Sequence, residues 1–378
     1  MNYLNEKKRI YTFEDSNEVA EFYEKISGIM EKIHNTIPKE NYKLNQIAKE
    51  IEIREECFDH QNYKRVVIYL QSNGCEWALK NGNGCTMCGH LAKQAIHEKK
   101  ITIEDYMSQF ENEFKKFDFE KYPILNLFNN GSFLNENEIQ KEAQSGILKM
   151  VQKNPYIKVV VLETRPEFVT EERIQMVKKY LPDKRVEIAI GLEMMDDDLR
   201  FICINKGFTR ARYEKAAKII VKNLHLRTYV LLKPPFLTEK ESVHEAVRTI
   251  EYAFSLGCET VSLETCTIQD YTLVKYLSDR NAYKTSWLWS IVEVVKRTAH
   301  LGKVIVGMFQ FYPSPVKVPY NCEKCSDQVL AAIKKYNETL DVTVLDNLDC
   351  ECKAEWKKEY ESEAIPFPKR LNVLDGII

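Results

Sequence analysis

No stretch of this 378-residue chain approaches the roughly 18 consecutive apolar residues that a membrane helix requires. The opening segment, MNYLNEKKRIYTFEDSNEVAEFYEK, has no apolar core and no cleavage site, so it does not read as a secretion signal. An excess of one charge is missing as well. Lys and Arg number 54 against 56 Asp and Glu, a formal net charge of −2, so any nucleic-acid contact has to come from a local basic patch. Internal repeats and low-complexity segments are absent. These absences describe a cytoplasmic globular chain with reduced thiols, in which eleven cysteines argue for metal and against disulfides.

What is present is a succession of short β-branched runs alternating with helical stretches. Residues 12–35 and 43–56 read as charged amphipathic helices ahead of the core. The strand candidates are RVVIYL (65–70), ILNLFN (124–129), KVVVLE (158–163), VEIAIGLE (186–193), RTYVLL (227–232), ETVSLE (259–264) and KVIVGMF (303–309). They are apolar almost throughout, as expected of parallel strands covered on both faces. Thr102 with Asp105, and Thr238 with Glu241, have the spacing of helix capping boxes. Strand and helix alternating about six times predicts an α/β fold, a parallel sheet curled toward a barrel. The predicted organisation is an N-terminal helical segment at 1–60, a partial barrel at 61–310 and a C-terminal cysteine-bearing region at 311–378.

Barrel chemistry sits in the loops that follow the strands. The loop after the first candidate strand, GCEWALKNGNGCTMCGH (74–90), holds Cys75, Cys85 and Cys88, with nine and then two residues between them. Four glycines fall in the same loop, suiting a backbone wrapped closely around something inorganic. Three thiolates can hold three irons of a [4Fe–4S] cluster and leave the fourth open to another ligand. The bland alternative is a zinc knuckle completed by His90. A second group, CEKC (322–325) and CEC (350–352), supplies Cys322, Cys325, Cys350 and Cys352. Four thiolates close a tetrahedral zinc site, with a second iron–sulfur cluster or no metal as the alternatives. Cys57, Cys203, Cys258 and Cys266 read as small core residues, Cys266 being nearest the predicted mouth.

On these residues the chain resembles the radical S-adenosylmethionine enzymes, and its cysteine spacing is similar to that of the Elongator catalytic subunit branch. NNGSF (129–133), ETRPEF (163–168), IGLEMM (190–195) and INKGFT (204–209) are similar to runs that follow in order in that branch. The resemblance implies a partial barrel of the (βα)6 type with a C-terminal zinc-binding extension. It gives cofactor contacts to Asn129, Gly131, Ser132, Glu163, Arg165 and Glu193, with Lys233 as a further carboxylate holder. For Lys233 and Arg165 the alternatives are a solvated lysine and a structural Arg–Glu pair. Together with LLKPPFLTE (231–239) and SWLWS (286–290), the motifs look like the radical subunit family of archaeosine synthase.

That resemblance implies a lyase-type tRNA-modifying enzyme. It would bind S-adenosylmethionine and the cluster, generate a 5′-deoxyadenosyl radical, and cleave a carbon–nitrogen bond of a lysine-modified 7-deazaguanine. A lysine-transferase partner and a ferredoxin- or flavodoxin-like electron donor follow from the same likeness. LETCTIQD (263–270) and YKTSWLW (283–289) depart from the family where the substrate should lie. One of Trp287 and Trp289 is expected in the core and the other over the barrel mouth, where a base could stack. A radical enzyme acting on a small molecule or another nucleobase conjugate, and a non-catalytic zinc-binding nucleic-acid module, are the competing readings.

Overall fold

The computed structural model describes residues 16–49, 52–58, 61–81, 83–309 and 311–376. Eight strands form one sheet in sequence order: β1 (Glu52–Phe58), β2 (Gln61–Tyr69), β3 (Ile124–Phe128), β4 (Val159–Glu163), β5 (Arg185–Glu193), β6 (His225–Leu232), β7 (Thr260–Thr265) and β8 (Lys303–Val306). β1 is antiparallel to β2, and each later strand is parallel to its predecessor. The result is a curled, open barrel with helices outside, and the seven candidate runs fall on β2 to β8.

The strands divide by residue parity. Val66, Ile68, Leu125, Leu127, Val160 and Leu162 are fully buried and join the core shared with the surrounding helices. Burying each such side chain is worth about 1.5–3 kcal/mol, which holds helices to sheet. The alternate residues Arg65, Asn126, Glu163, Arg227, Tyr229 and Glu264 line a cavity inside the barrel. The lumen is therefore more polar than the run of apolar letters suggests. Both predicted capping boxes form, at Thr102 with Asp105 and at Thr238 with Glu241.

The helix expected over 43–56 does not form. Residues 52–58 are β1 instead, and residues 50 and 51 lie outside the described part. The physical reason is the company its charges keep. Glu56 is buried and accepts from Arg65 and Lys303, each at 2.6 Å, and also from Arg227. Burial alone would raise its pKa, but Arg227, Lys303 and Arg65 outweigh it and hold the carboxyl well below the usual range. Arg227 also pairs with Glu187 at 2.8 Å. An alternation read as a helix surface is a strand whose charges enter the lumen. The other N-terminal expectation is met over its described length by a helix at Ser16–His34.

Residues after β8 wrap the barrel's open edge. Asn337, on the helix Ser326–Thr339, accepts from the Val306 amide and donates to the Val306 carbonyl, both at 2.8 Å, occupying backbone groups that an edge strand leaves unpaired. Among the described residues no helix is long and apolar enough to cross a membrane.

Candidate active site and a distal four-cysteine centre

The loop after β2 carries Cys75, Cys85 and Cys88 onto one wall of a cavity of about 620 Å³. It is stitched to distant segments. The Thr86 hydroxyl donates to the Cys203 carbonyl (2.6 Å), Asn205 donates to the Gly84 carbonyl (2.6 Å), and the Trp77 indole donates to the Asn205 carbonyl (2.8 Å). Gln269 accepts from the Gly89 amide at 3.0 Å. The helix Ser16–His34 lies over the same end, with Asn83 reaching the Ser27 carbonyl at 3.2 Å.

Burial pushes the Cys75 and Cys88 thiols up to about 12, and Cys85 upward as well. Bare, they would stay protonated at neutral pH; a coordinated cation reverses that preference, so three free, half-buried thiols on one cavity wall fit a metal cluster. The cavity also holds buried polar atoms without partners, among them Gln94 Oε1, Asn126 Oδ1, Asn130 Nδ2 and Thr265 Oγ1. Unpaired polar atoms are costly in a dry interior and fit a polar cofactor or substrate.

Glu138 joins the cysteine loop to the loop after β3. One carboxylate oxygen accepts from the Glu76 amide (3.0 Å) and Asn135 (3.1 Å), the other from the Ser132 amide (2.5 Å) and Asn129 (3.0 Å). Gly131 is required by this packing, since a Cβ there would sit 2.0 Å from Glu138 Oε2. Of the sequence-predicted residues here, Gly131 lines the cavity, whereas Asn129 and Ser132 are buried behind it as framework. Ser132 accepts from the Arg165 amide at 3.1 Å.

Arg165 reaches the cavity wall with its guanidinium 4.9 Å from the Trp77 ring and 5.5 Å from Phe208, paired with Glu167 and donating to the Lys206 carbonyl at 2.9 Å. Glu193 ends β5 at a bulge with φ 63° and pairs with Lys206 at 2.8 Å. A Cβ at Gly191 would lie 2.3 Å from Glu193 Oε1, so this turn depends on glycine. Lys233 does not join the group: its amine donates to the Leu237 carbonyl at 2.9 Å and faces Glu239 at 3.5 Å. Glu163 does line the lumen, with the Tyr229 hydroxyl beside it, and burial raises its carboxyl to about 7.

The tryptophan expectation is corrected. Trp289 is in the core, but Trp287 leans on the C-terminal extension, its indole donating to Glu359 at 2.9 Å, and neither lines the cavity. Within YKTSWLW, Lys284 and Trp287 therefore turn to Glu359 of the extension, while the Tyr283 hydroxyl donates to the Lys233 carbonyl at 2.7 Å and the Cys266 carbonyl at 3.3 Å behind the cavity wall. LETCTIQD does face the cavity through Thr265, Cys266, Thr267 and Gln269. Sequence reasoning missed Glu138, Lys206, Tyr229 and Glu264. Lys206, Tyr229 and Glu264 stood inside quoted runs without being singled out, whereas Glu138 owes its position to contacts far along the chain.

The second cysteine group is of another kind. Cys322 Sγ lies 3.6 Å from both Cys325 and Cys350, and Cys325 lies 3.5 Å from Cys352. All four sulfurs fall within 4.8 Å of one another. A tetrahedron with metal–sulfur bonds of about 2.3 Å has edges of about 3.8 Å, so the spacing fits one four-coordinate ion. The Trp289 indole donates to Cys352 Sγ at 3.4 Å, an outer contact of the sort that orients metal ligands.

No family model matches the chain. It is 35% identical over 312 residues, 80% of this chain and 87% of the relative, to archaeosine synthase subunit beta of Methanosarcina acetivorans. It is 33% identical over 299 residues, 77% of this chain and 90% of the relative, to the protein of that name from Thermococcus kodakarensis. Among solved structures, Elp3 from Methanocaldococcus infernus matches with TM-score 0.44 and 16% identity over 62% of this chain and 59% of that one. Methylornithine synthase matches with TM-score 0.49 and 12% identity over 97% and 89%. With these curated relatives matched along most of both chains, the protein belongs to the archaeosine synthase subunit beta family.

Proposed function

We propose that Cys75, Cys85 and Cys88 hold a [4Fe–4S] cluster, and that the chain acts in the cytoplasm on a lysine-bearing 7-deazaguanine in tRNA, cleaving a carbon–nitrogen bond to leave the amidine of archaeosine. The observation carrying this reading is three unpaired, half-buried thiols on one wall of a cavity that also presents unpartnered polar atoms. The name of the curated relatives, archaeosine synthase subunit beta, supports archaeosine as the product. When bound, the cluster and S-adenosylmethionine supply a carbon-centred radical able to take hydrogen from an unactivated carbon. The chain's part is to orient and enclose. Gly131 lets the loop after β3 approach closely, Arg165 and Lys206 offer positive charge to a carboxylate, and Glu193 offers an acceptor. The apolar face of the helix Ser16–His34 helps exclude water from the mouth.

A transferase that attaches lysine and a ferredoxin- or flavodoxin-like reductant complete the scheme, the first in keeping with relatives named as a subunit. At the distal centre we assign Zn²⁺, on the sulfur spacing and the four-thiolate ligand set. The test of the reading is substrate-triggered 5′-deoxyadenosine formation by anaerobically reconstituted protein. tRNA bearing the lysine adduct should trigger it and unmodified tRNA should not; equal yields with both would refute the assignment.

A further inference from the structure

The lumen's charges can be matched one against another. Arg54 is engaged by Glu52 at 3.0 Å and by the Tyr69 hydroxyl at 3.0 Å. Arg65 and Lys303 are held by Glu56, Arg227 by Glu56 and Glu187, and Lys206 by Glu193. Three lining carboxylates have no such close partner: Glu55, whose pKa is lowered by a hydrogen bond with Glu338 and by the lining amines of Lys334 and Lys64, and two whose pKa is raised. Among the described residues, Glu163 at the end of β4 and Glu264 on β7 have no Lys, Arg or His nitrogen within 4.0 Å. Both line the cavity; burial and then the charge of Glu264 raise the proton affinity of Glu163, and burial raises that of Glu264 against the pull of Arg54, Arg65 and Arg227 farther off. Beside these acids, Asn126 is 1% exposed, lines the same cavity and has an Oδ1 with no partner. Gly307 leaves the room Glu264 occupies: a Cβ there would lie 1.9 Å from its carboxylate.

Two half-buried carboxylates without a base in contact and an unused amide oxygen lining one cavity are all hydrogen-bond acceptors. Their complement is a compact cation with several donors, which is what an ammonium group offers. We propose that Glu163 and Glu264, with Asn126 beside them, form the subsite for a primary ammonium on the substrate, the free amine of its amino-acid portion. This deepens the reading given above and rests on it for the identity of that amine. It also moves Glu163 from the cofactor, where the sequence motif put it, to the substrate. The wall would admit an amino-acid conjugate and disfavour one whose amine is missing or acylated, because the acids would then be left unpaired.

The subsite is tested with reconstituted full-length protein and two titrants, pentylammonium and the neutral isostere pentanol, followed by calorimetry. Wild type should bind the ammonium at least about tenfold tighter, and Glu163→Gln and Glu264→Gln should each erase that preference. Parental melting temperature and iron content in either variant show that it has folded, and Asn126→Ala provides a third, milder probe of the same wall. Equal binding of the two titrants by wild type overturns the proposal. So does a loss of S-adenosylmethionine affinity in the Gln variants as large as the loss for the ammonium, which would give the pair to the cofactor. The tRNA reading fails separately, on absent adduct-triggered 5′-deoxyadenosine, with the titration result unaffected. If both hold, the Gln variants should raise KM for adduct-bearing tRNA about tenfold, and removing the adduct's free amine should cost wild type the same factor and the variants nothing further.

Discussion

The two cysteine groups use one side chain for opposite ends. The distal four sit with sulfurs 3.5–3.6 Å apart at the edge of the helices that brace the barrel, a ligand set that one tetrahedral ion closes completely. The proximal three line a large cavity, with thiols that burial keeps protonated until a cation arrives. Ligand number and surroundings separate them: a saturated centre stabilises a fold, and an unsaturated one facing a polar cavity leaves room for chemistry.

The largest effect should come from breaking the open centre. Cys75→Ala, Cys85→Ala and Cys88→Ala together are expected to abolish visible iron–sulfur absorption and all S-adenosylmethionine cleavage while leaving the distal metal in place. Absorption spectra and metal analysis of one preparation check both halves.

Breaking the closed centre should act on stability. Cys322→Ser or Cys350→Ser is expected to release the distal metal and loosen the C-terminal region, because structural metal binding is coupled to folding. Chelator-induced unfolding of mutant and parent reads this out, and equal stability without metal in either would remove the site.

A smaller effect is expected at Glu138. Glu138→Gln replaces an acceptor surrounded by four donors, so a buried N–H loses its partner at a cost of about 1–3 kcal/mol. Thermal melting should show the loss, and slower cluster reconstitution should accompany it.

The smallest effect is a pH dependence at Glu163. Its folded pKa, raised by burial to about 7, lies above the unfolded carboxylate value, so it favours the fold least where it must ionise. The penalty is absent below about pH 4.5, grows between about pH 4.5 and 7, and is constant above that. Glu163→Gln should therefore raise the melting temperature at pH 8 and leave it nearly unchanged at about pH 4. A gain confined to low pH would contradict the sign.

The sheet was legible in the sequence because β2 to β8 each present an unbroken apolar run, and the place of three cysteines at the cavity was legible because they share one loop. β1 was not, since Glu52, Arg54 and Glu56 look like a solvated helix face until their partners on β2, β6 and β8 are known. Glu138 and Glu264 were hidden for the same reason. Nothing within a few residues of Glu138 marks it out, and Glu264 stood unremarked inside LETCTIQD; only the fold brings Glu138 beside the cysteine loop or leaves Glu264 without a base in contact. Lys233 shows the converse, a motif residue whose amine turns toward Glu239 and away from the cavity.

The difference between the two centres is tested most directly by iron, sulfide and zinc analysis of anaerobically purified protein, parent beside the triple cysteine variant. The parent should carry about four irons with matching sulfide and about one zinc per chain, and the variant zinc alone. Zinc at both centres without sulfide, or iron retained in the variant, would contradict it.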